Sequence, residues 1–204
     1  MNDSDDEASG EPTEAAARHG SSQRQSTVLE WFTRLQEPRN AGARARLRRA
    51  RNRTESLVEP LAIELARRLS GNRDLAVTDA RVLAAIDLSR VLAHGKQHDG
   101  SKRFMQQLGW RHFPGAQSEA DAGEARPVLA EVRFRRVLLT QPGEDMVSTL
   151  VRLIRQLDGT VNVESLARDM LDWYTDHRRD EVKQRWSFDY FAASRPTPSG
   201  ATHN

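Results

Sequence analysis

A chain of 204 residues, 37% of them hydrophobic and 29% charged, holds enough apolar surface for a real core in one domain or two small ones. It has no run of 18 apolar residues, and its start, Met1-Asn2-Asp3-Ser4-Asp5-Asp6-Glu7, is acidic where a signal peptide is basic and then apolar. Neither export nor membrane insertion is indicated, the expected location is cytoplasmic, and the absence of cysteine removes disulfides and thiolate metal ligands.

The net charge of +2 hides an asymmetry: residues 1–23 carry six acids and one base, so the remainder of the chain carries +7. Clustered arginine and lysine gain free energy by displacing the counterions of phosphate, so a globular part this basic points to a polyanionic partner. A merely solvated basic surface is the competing reading.

Residues 1–24 are rich in Asp, Glu, Ser, Gly and Pro and are expected to be a disordered acidic tail, as are residues 195–204. Between them the pattern is helical almost throughout. Thr27 and Glu30 have capping-box spacing and open a first helix carrying Trp31, Phe32 and Leu35 toward Pro38. A second helix is expected from about Ala41 to Arg53, and a third from Thr54 to Leu69 before Ser70-Gly71-Asn72. The fourth, from about Thr78 to His94, is apolar on most sides and should be central and buried. A shorter helix over Lys102 to Leu108 is followed by a flexible connection, residues 115–126, of small and polar composition.

The C-terminal part has the clearest periodicity. After a helix from about Pro127 to Thr140, Val147, Leu150, Ile154 and Leu157 form one apolar stripe that ends at Asp158-Gly159. Val163, Leu166, Met170 and Trp173 repeat the spacing, and Val182, Trp186 and Tyr190 follow at every fourth residue. The reading is all-α: an N-terminal helical subdomain over 25–114 and a C-terminal bundle over 127–194, with no sheet, because period-2 alternation is missing.

Chemistry is expected from the arginines. Residues 39–53 contain seven of them and no acid. On one continuous helix Arg44, Arg48 and Arg51 make one stripe and Arg46, Arg49 and Arg53 another, flanking Ala43, Leu47 and Ala50. Such an array repels itself unless an anion or an acidic neighbour is present. Further candidates are Arg133 and Arg136, then Arg152 and Arg155 on the next helix, then Arg178, Arg179 and Lys183, which nearby Asp and Glu could neutralise. Trp31, Trp173, Trp186 and Tyr190 fall on core stripes, which favours contacts to phosphates over base stacking.

No catalytic residues, cofactor or metal site are expected. His94 and His98 have a ligand-like spacing, but Gly95 intervenes and no Glu accompanies them as in a zinc-protease helix. No P-loop, dinucleotide fingerprint or nucleophile elbow occurs.

Taken in order, Trp31-Phe32-Thr33-Arg34-Leu35, Arg44-Ala45-Arg46-Leu47-Arg48-Arg49-Ala50, Val132-Arg133-Phe134-Arg135-Arg136-Val137-Leu138 and Leu150-Val151-Arg152-Leu153-Ile154 carry a resemblance. So do the run from Val161 to Trp173 and Arg185-Trp186-Ser187-Phe188-Asp189-Tyr190-Phe191. Over about residues 28–192 the chain resembles the CasB family, the small subunit of the type I-E CRISPR Cascade complex. The resemblance implies an all-helical, non-catalytic protein of antiviral defence, present as repeated copies that touch one another and the backbone and large subunits. It also implies contact with guide RNA, target DNA and the displaced single strand, so that the R-loop persists. Carried over residue by residue, Arg48 and Arg49 come first, then Arg133, Arg136, Arg152 and Arg178. The acidic tail departs from the family pattern. Two other readings stay open: a helical DNA-binding regulator, and an assembly adaptor whose arginines meet acidic protein surfaces.

Overall fold

The computed structural model describes residues 27–71, 75, 79–109 and 127–192; the expected tails and the whole of the 115–126 connection lie outside these. Helix α1 covers residues 27–36 and buries Val28, Trp31, Phe32 and Leu35, with the Trp31 indole donating to the carbonyl of Leu61 at 2.9 Å. After a 3-10 turn at Pro38–Asn40, α2 runs Ala41–Arg49. It stops four residues short of the expected end, because Ala50 turns extended and Asn52 caps a separate one-turn helix, α3, Arg53–Ser56. The Asn52 side chain accepts from the amide of Glu55 at 2.9 Å.

The expected third helix is likewise split. Pro60 disfavours helical geometry at Glu59 and sits well in a first turn, so α4 begins afresh at Pro60–Ser70 and ends on Gly71 in the left-handed conformation. Helix α5, Ala80–Leu92, capped by Asp79, is the central element: ten of its residues are buried, and it packs against α4 on one side and against α8 and α9 on another. Helix α6 is Phe104–Leu108, α7 Glu131–Val137, α8 Glu144–Gln156, α9 Val163–Trp173 and α10 Arg179–Ala192.

One expectation is corrected. Gln97–His98 and Thr160–Val161 form a two-residue parallel pair, β1 and β2, stitched by bonds from Lys96 and Asp99 amides to the carbonyls of Gly159 and Val161. A pair this short has no room for a period-2 pattern, so periodicity could not reveal it. The fold remains all-α.

The stripes read from the C-terminal half are the core. Val163, Leu166, Met170, Trp173, Val182, Trp186 and Tyr190 are essentially inaccessible. Trp173 stacks on Trp186 with ring centres 4.7 Å apart, and Tyr190 lies parallel to Phe134 at 4.1 Å, joining α9, α10 and α7. The Trp186 indole donates to the buried Asp169 at 2.7 Å, and Tyr190 to the carbonyl of Leu129 at 2.6 Å. Gly109 presses against the backbone of Tyr190 so closely that a Cβ would fall 2.2 Å from its carbonyl oxygen.

A buried ionic network fixes the centre. Asp87 of α5 is wholly inaccessible and receives Arg53 of α3, the Tyr174 hydroxyl at 2.7 Å and Arg90 at 3.5 Å. Arg90 also grips Glu144, the first residue of α8, through both oxygens at 2.6 and 2.8 Å, and donates to the Ala50 carbonyl at 3.1 Å. The guanidinium of Arg90 therefore sets the end of α2 against the start of α8. Burial, and then the charge of Asp87, push the Tyr174 hydroxyl well above its ordinary pKa, while the Arg90 guanidinium holds the Glu144 carboxyl below the ordinary glutamate value.

Candidate nucleic-acid interface

The arginines of residues 39–53 divide according to whether a carboxylate reaches them. Arg39 pairs with Glu37, Arg46 with the buried Glu59 at 2.5 Å, and Arg53 with Asp87. These acids lie outside the arginine run or arrive from other elements, so the run is less bare than its sequence. Arg44, Arg48, Arg49 and Arg51 have no carboxylate partner on their side chains among the described residues. Because α2 ends at Arg49, Arg51 leaves the expected stripe and its backbone amide donates to Glu55 at 2.8 Å.

The C-terminal end of α5 orients two of the four. Arg48 Nε donates to the Ala93 carbonyl at 2.5 Å, and Arg44 donates to Gln36, whose own amide donates to the Gly95 carbonyl at 3.4 Å. Cations are favoured at the carbonyl end of a helix, and these contacts hold the α2 arginines in place without neutralising them. Partial burial and the nearby Arg44 lower the pKa of Arg48.

The second group is assembled by packing. Arg133 and Arg136 on α7, with Arg152 and Arg155 on α8, line a groove of about 790 Å³ whose floor includes Leu129, Val137 and Leu153. All four guanidiniums are exposed. Arg152 is steadied by its own helix through the Ser148 carbonyl at 3.1 Å and Thr149, and among the described residues none of the four has a carboxylate partner. Asp145 is the one acid in the lining, and it accepts from the Gln141 amide at 3.4 Å. Arg135, which the sequence places between the two groove arginines, instead turns back onto Glu131 at 2.5 Å.

The third group is different. Arg178 pairs with Asp172 at 3.2 Å, Arg179 with Asp176 at 2.6 Å and Lys183 with Asp180 at 3.0 Å. Each cation therefore has a carboxylate beside it, and its outward field is correspondingly weaker. Arg178 borders a separate hollow of about 170 Å³ between α1, α4 and α9.

Sequence reasoning did not single out His94 for this interface. It follows Ala93, and the charges of Arg155, Arg48 and Arg90 all act on its ring. No sequence signal could have found it, since the arginines come from three helices. The histidine pair considered for a metal does not converge: the His98 ring accepts from the Val163 amide at 3.2 Å. Among the described residues no group of three or more His, Asp or Glu is placed to hold a metal ion, and no helix is long and apolar enough to cross a membrane. Trp31, Trp173, Trp186 and Tyr190 are at most 1% exposed, so none offers a stacking surface.

The model of the family described as CRISPR-associated protein Cse2 matches residues 43–191. The chain belongs to that family. The match covers well over half of the sequence and takes in all three basic groups, so the Cse2 assignment and the CasB resemblance drawn from the motifs agree. It places the chain among CRISPR-associated proteins. No curated protein and no solved structure matches the chain.

Proposed function

We propose that this chain is a non-catalytic small subunit of a type I-E RNA-guided Cascade complex that grips nucleic-acid backbone. The gripping surface runs from α2 past the end of α5 into the α7–α8 groove. The observation that carries the reading is that eight guanidiniums of this surface, Arg44, Arg48, Arg49, Arg51, Arg133, Arg136, Arg152 and Arg155, have no carboxylate partner among the described residues. Cations held apart from acids store repulsion that phosphates relieve, and contacts of this kind read no sequence. Arg178, Arg179 and Lys183, each with its own carboxylate, contribute less.

In a complex whose guide supplies sequence recognition by base pairing, R-loop formation is nearly balanced in energy. Backbone contacts to the guide–target duplex and to the displaced strand then tip it toward persistence. Guide RNA, target DNA, the displaced strand, further copies of this chain and the backbone and large subunits are the partners of this role.

The test is the affinity of the full chain for single-stranded DNA, duplex DNA and RNA of unrelated sequences across a salt series. Sequence-independent binding that weakens steeply with salt is expected. A strong preference for one duplex sequence would instead make the chain a regulator. Absence of binding at low salt, together with failed co-purification with partner subunits after Arg48 and Arg49 are neutralised, would make it an adaptor.

A further inference from the structure

Both halves of the basic surface are anchored to α5, and one buried side chain of that helix holds them at the same time. The Arg90 guanidinium grips both Glu144 oxygens, at 2.6 and 2.8 Å, and donates to the Ala50 carbonyl at 3.1 Å. Ala50 is the cap residue directly after Arg49, at the end of α2. Glu144 opens α8, the helix that carries Arg152 and Arg155 about two and three turns further on.

Each half has a second tie to the same core. Arg48 of α2 donates to the Ala93 carbonyl, just beyond α5, at 2.5 Å. The Gly143 amide, at the start of α8, donates to the Tyr174 hydroxyl at 2.8 Å, which in turn donates to Asp87 of α5 at 2.7 Å. Asp87 also pairs with Arg53 of α3 and lies 3.5 Å from Arg90.

A guanidinium suits this joint: its planar donors meet a carboxylate with one edge and leave a further hydrogen for a carbonyl, whereas the ammonium of lysine offers no such fork. Burying the charge carries a desolvation cost that a well-packed apolar residue would avoid, so stability alone gives little reason for an ionic joint here. A fixed spacing between α2 and α8 is what the joint provides.

We propose that Arg90 is a positioning residue for nucleic-acid binding, which fixes the α2 arginines against those of the α7–α8 groove so that one strand engages both groups as a single site. This rests on the backbone-binding reading above. Two weak groups at a fixed spacing bind a strand tightly because the second contact forms at the high effective concentration set by the first. With the joint loosened the same eight guanidiniums remain, but the strand must order them as it binds, and that ordering is subtracted from the affinity.

The experiment uses the full chain and an oligothymidylate of about 16 nucleotides, with affinity read by fluorescence anisotropy across a salt series. Glu144→Ala cuts one arm of the joint at a half-exposed side chain and leaves Asp87 its partners. Loss of an acid by itself tightens binding to a polyanion, so the positioning role predicts the opposite sign. Affinity is expected to fall by about threefold or more, the lower range of coupling within one network, while the salt slope stays at the wild-type value because no phosphate contact is removed. Arg90→Lys, which keeps the net charge and lacks the fork, is expected to do the same.

The deciding comparison repeats Glu144→Ala in a chain whose Arg133, Arg136, Arg152 and Arg155 are all replaced by glutamine. One group is then left, there is no spacing to hold, and the change should no longer weaken binding. Wild-type or tighter binding by either the Glu144→Ala or the Arg90→Lys chain would overturn the positioning role and leave the backbone reading standing. So would an equal loss from Glu144→Ala in both backgrounds, which is what a general loss of structure gives. No binding by the wild-type chain at low salt would overturn the backbone reading and the positioning role with it.

Discussion

Replacing Arg133, Arg136, Arg152 and Arg155 together by glutamine removes the groove's positive charge and leaves the α2 group untouched. If each of the eight carboxylate-free guanidiniums of this surface meets one phosphate of a single strand, at about 0.7 counterion released per contact, the wild-type log–log salt slope is about −5.6. Affinity then falls about 50-fold when the salt is doubled, whereas with four contacts left the slope is about −2.8 and the fall only about sevenfold. The control is a charge-neutral change on the last helix: Arg179→Gln with Asp176→Asn, and Lys183→Gln with Asp180→Asn. It breaks two exposed ion pairs and leaves net charge unaltered, so its slope should match wild type. Anisotropy titrations with an unrelated-sequence single strand over several salt concentrations give all three slopes. A wild-type slope in the groove variant, or an equal loss in the charge-neutral variant, would refute the argument that freedom from carboxylates marks the contacting residues.

Removing Asp87 leaves Arg53 and Arg90 facing each other without their shared carboxylate, and Asp87→Ala is expected to lower stability by about 3–5 kcal/mol in urea unfolding. A loss below about 1 kcal/mol would contradict the network's role. Gly109→Ala drives a methyl group into the Tyr190 carbonyl and should cost about 1–3 kcal/mol or more, visible as a lower Tm; an unchanged Tm would contradict the contact. For the nucleic-acid-free chain, the folded His94 titrates at about 4 against an ordinary 6.5, so the unfolded chain binds more protons in that interval and stability falls as the pH drops through it. His94→Gln should flatten that interval. The depressed Glu144 carboxyl contributes stability above 4.5 that is lost at lower pH, a loss that Glu144→Gln should remove. Urea midpoints measured across the range check both signs.

The helices were legible because apolar residues recur on one face. Val182, Trp186 and Tyr190 are buried as the spacing requires, and the all-round apolar α5 is the central helix. The breaks within the arginine-rich region were also written locally, in the capping potential of Asn52 and in Pro60, but the strong helical composition of residues 41–69 obscured them. What the sequence could not show is which arginines remain unpaired. Glu59, just before α4, and Asp87 of α5 neutralise Arg46 and Arg53, and the groove exists only because α7 lies beside α8. Helical spacing placed Arg152 and Arg155 away from the apolar stripe, yet it said nothing about Arg133 and Arg136 facing them. The ion pairs of Arg178, Arg179 and Lys183, by contrast, were foreshadowed by the aspartates around them in sequence.

The most direct test of the central claim is site-specific photocrosslinking in the assembled RNA-guided complex with its target DNA. A photoreactive residue is placed at Arg152 in the groove and, separately, at Arg49 on α2. Crosslinks to the displaced strand or to the guide–target duplex are expected from both positions. Crosslinks from both positions to protein subunits alone would contradict the account and assign the arginines to assembly.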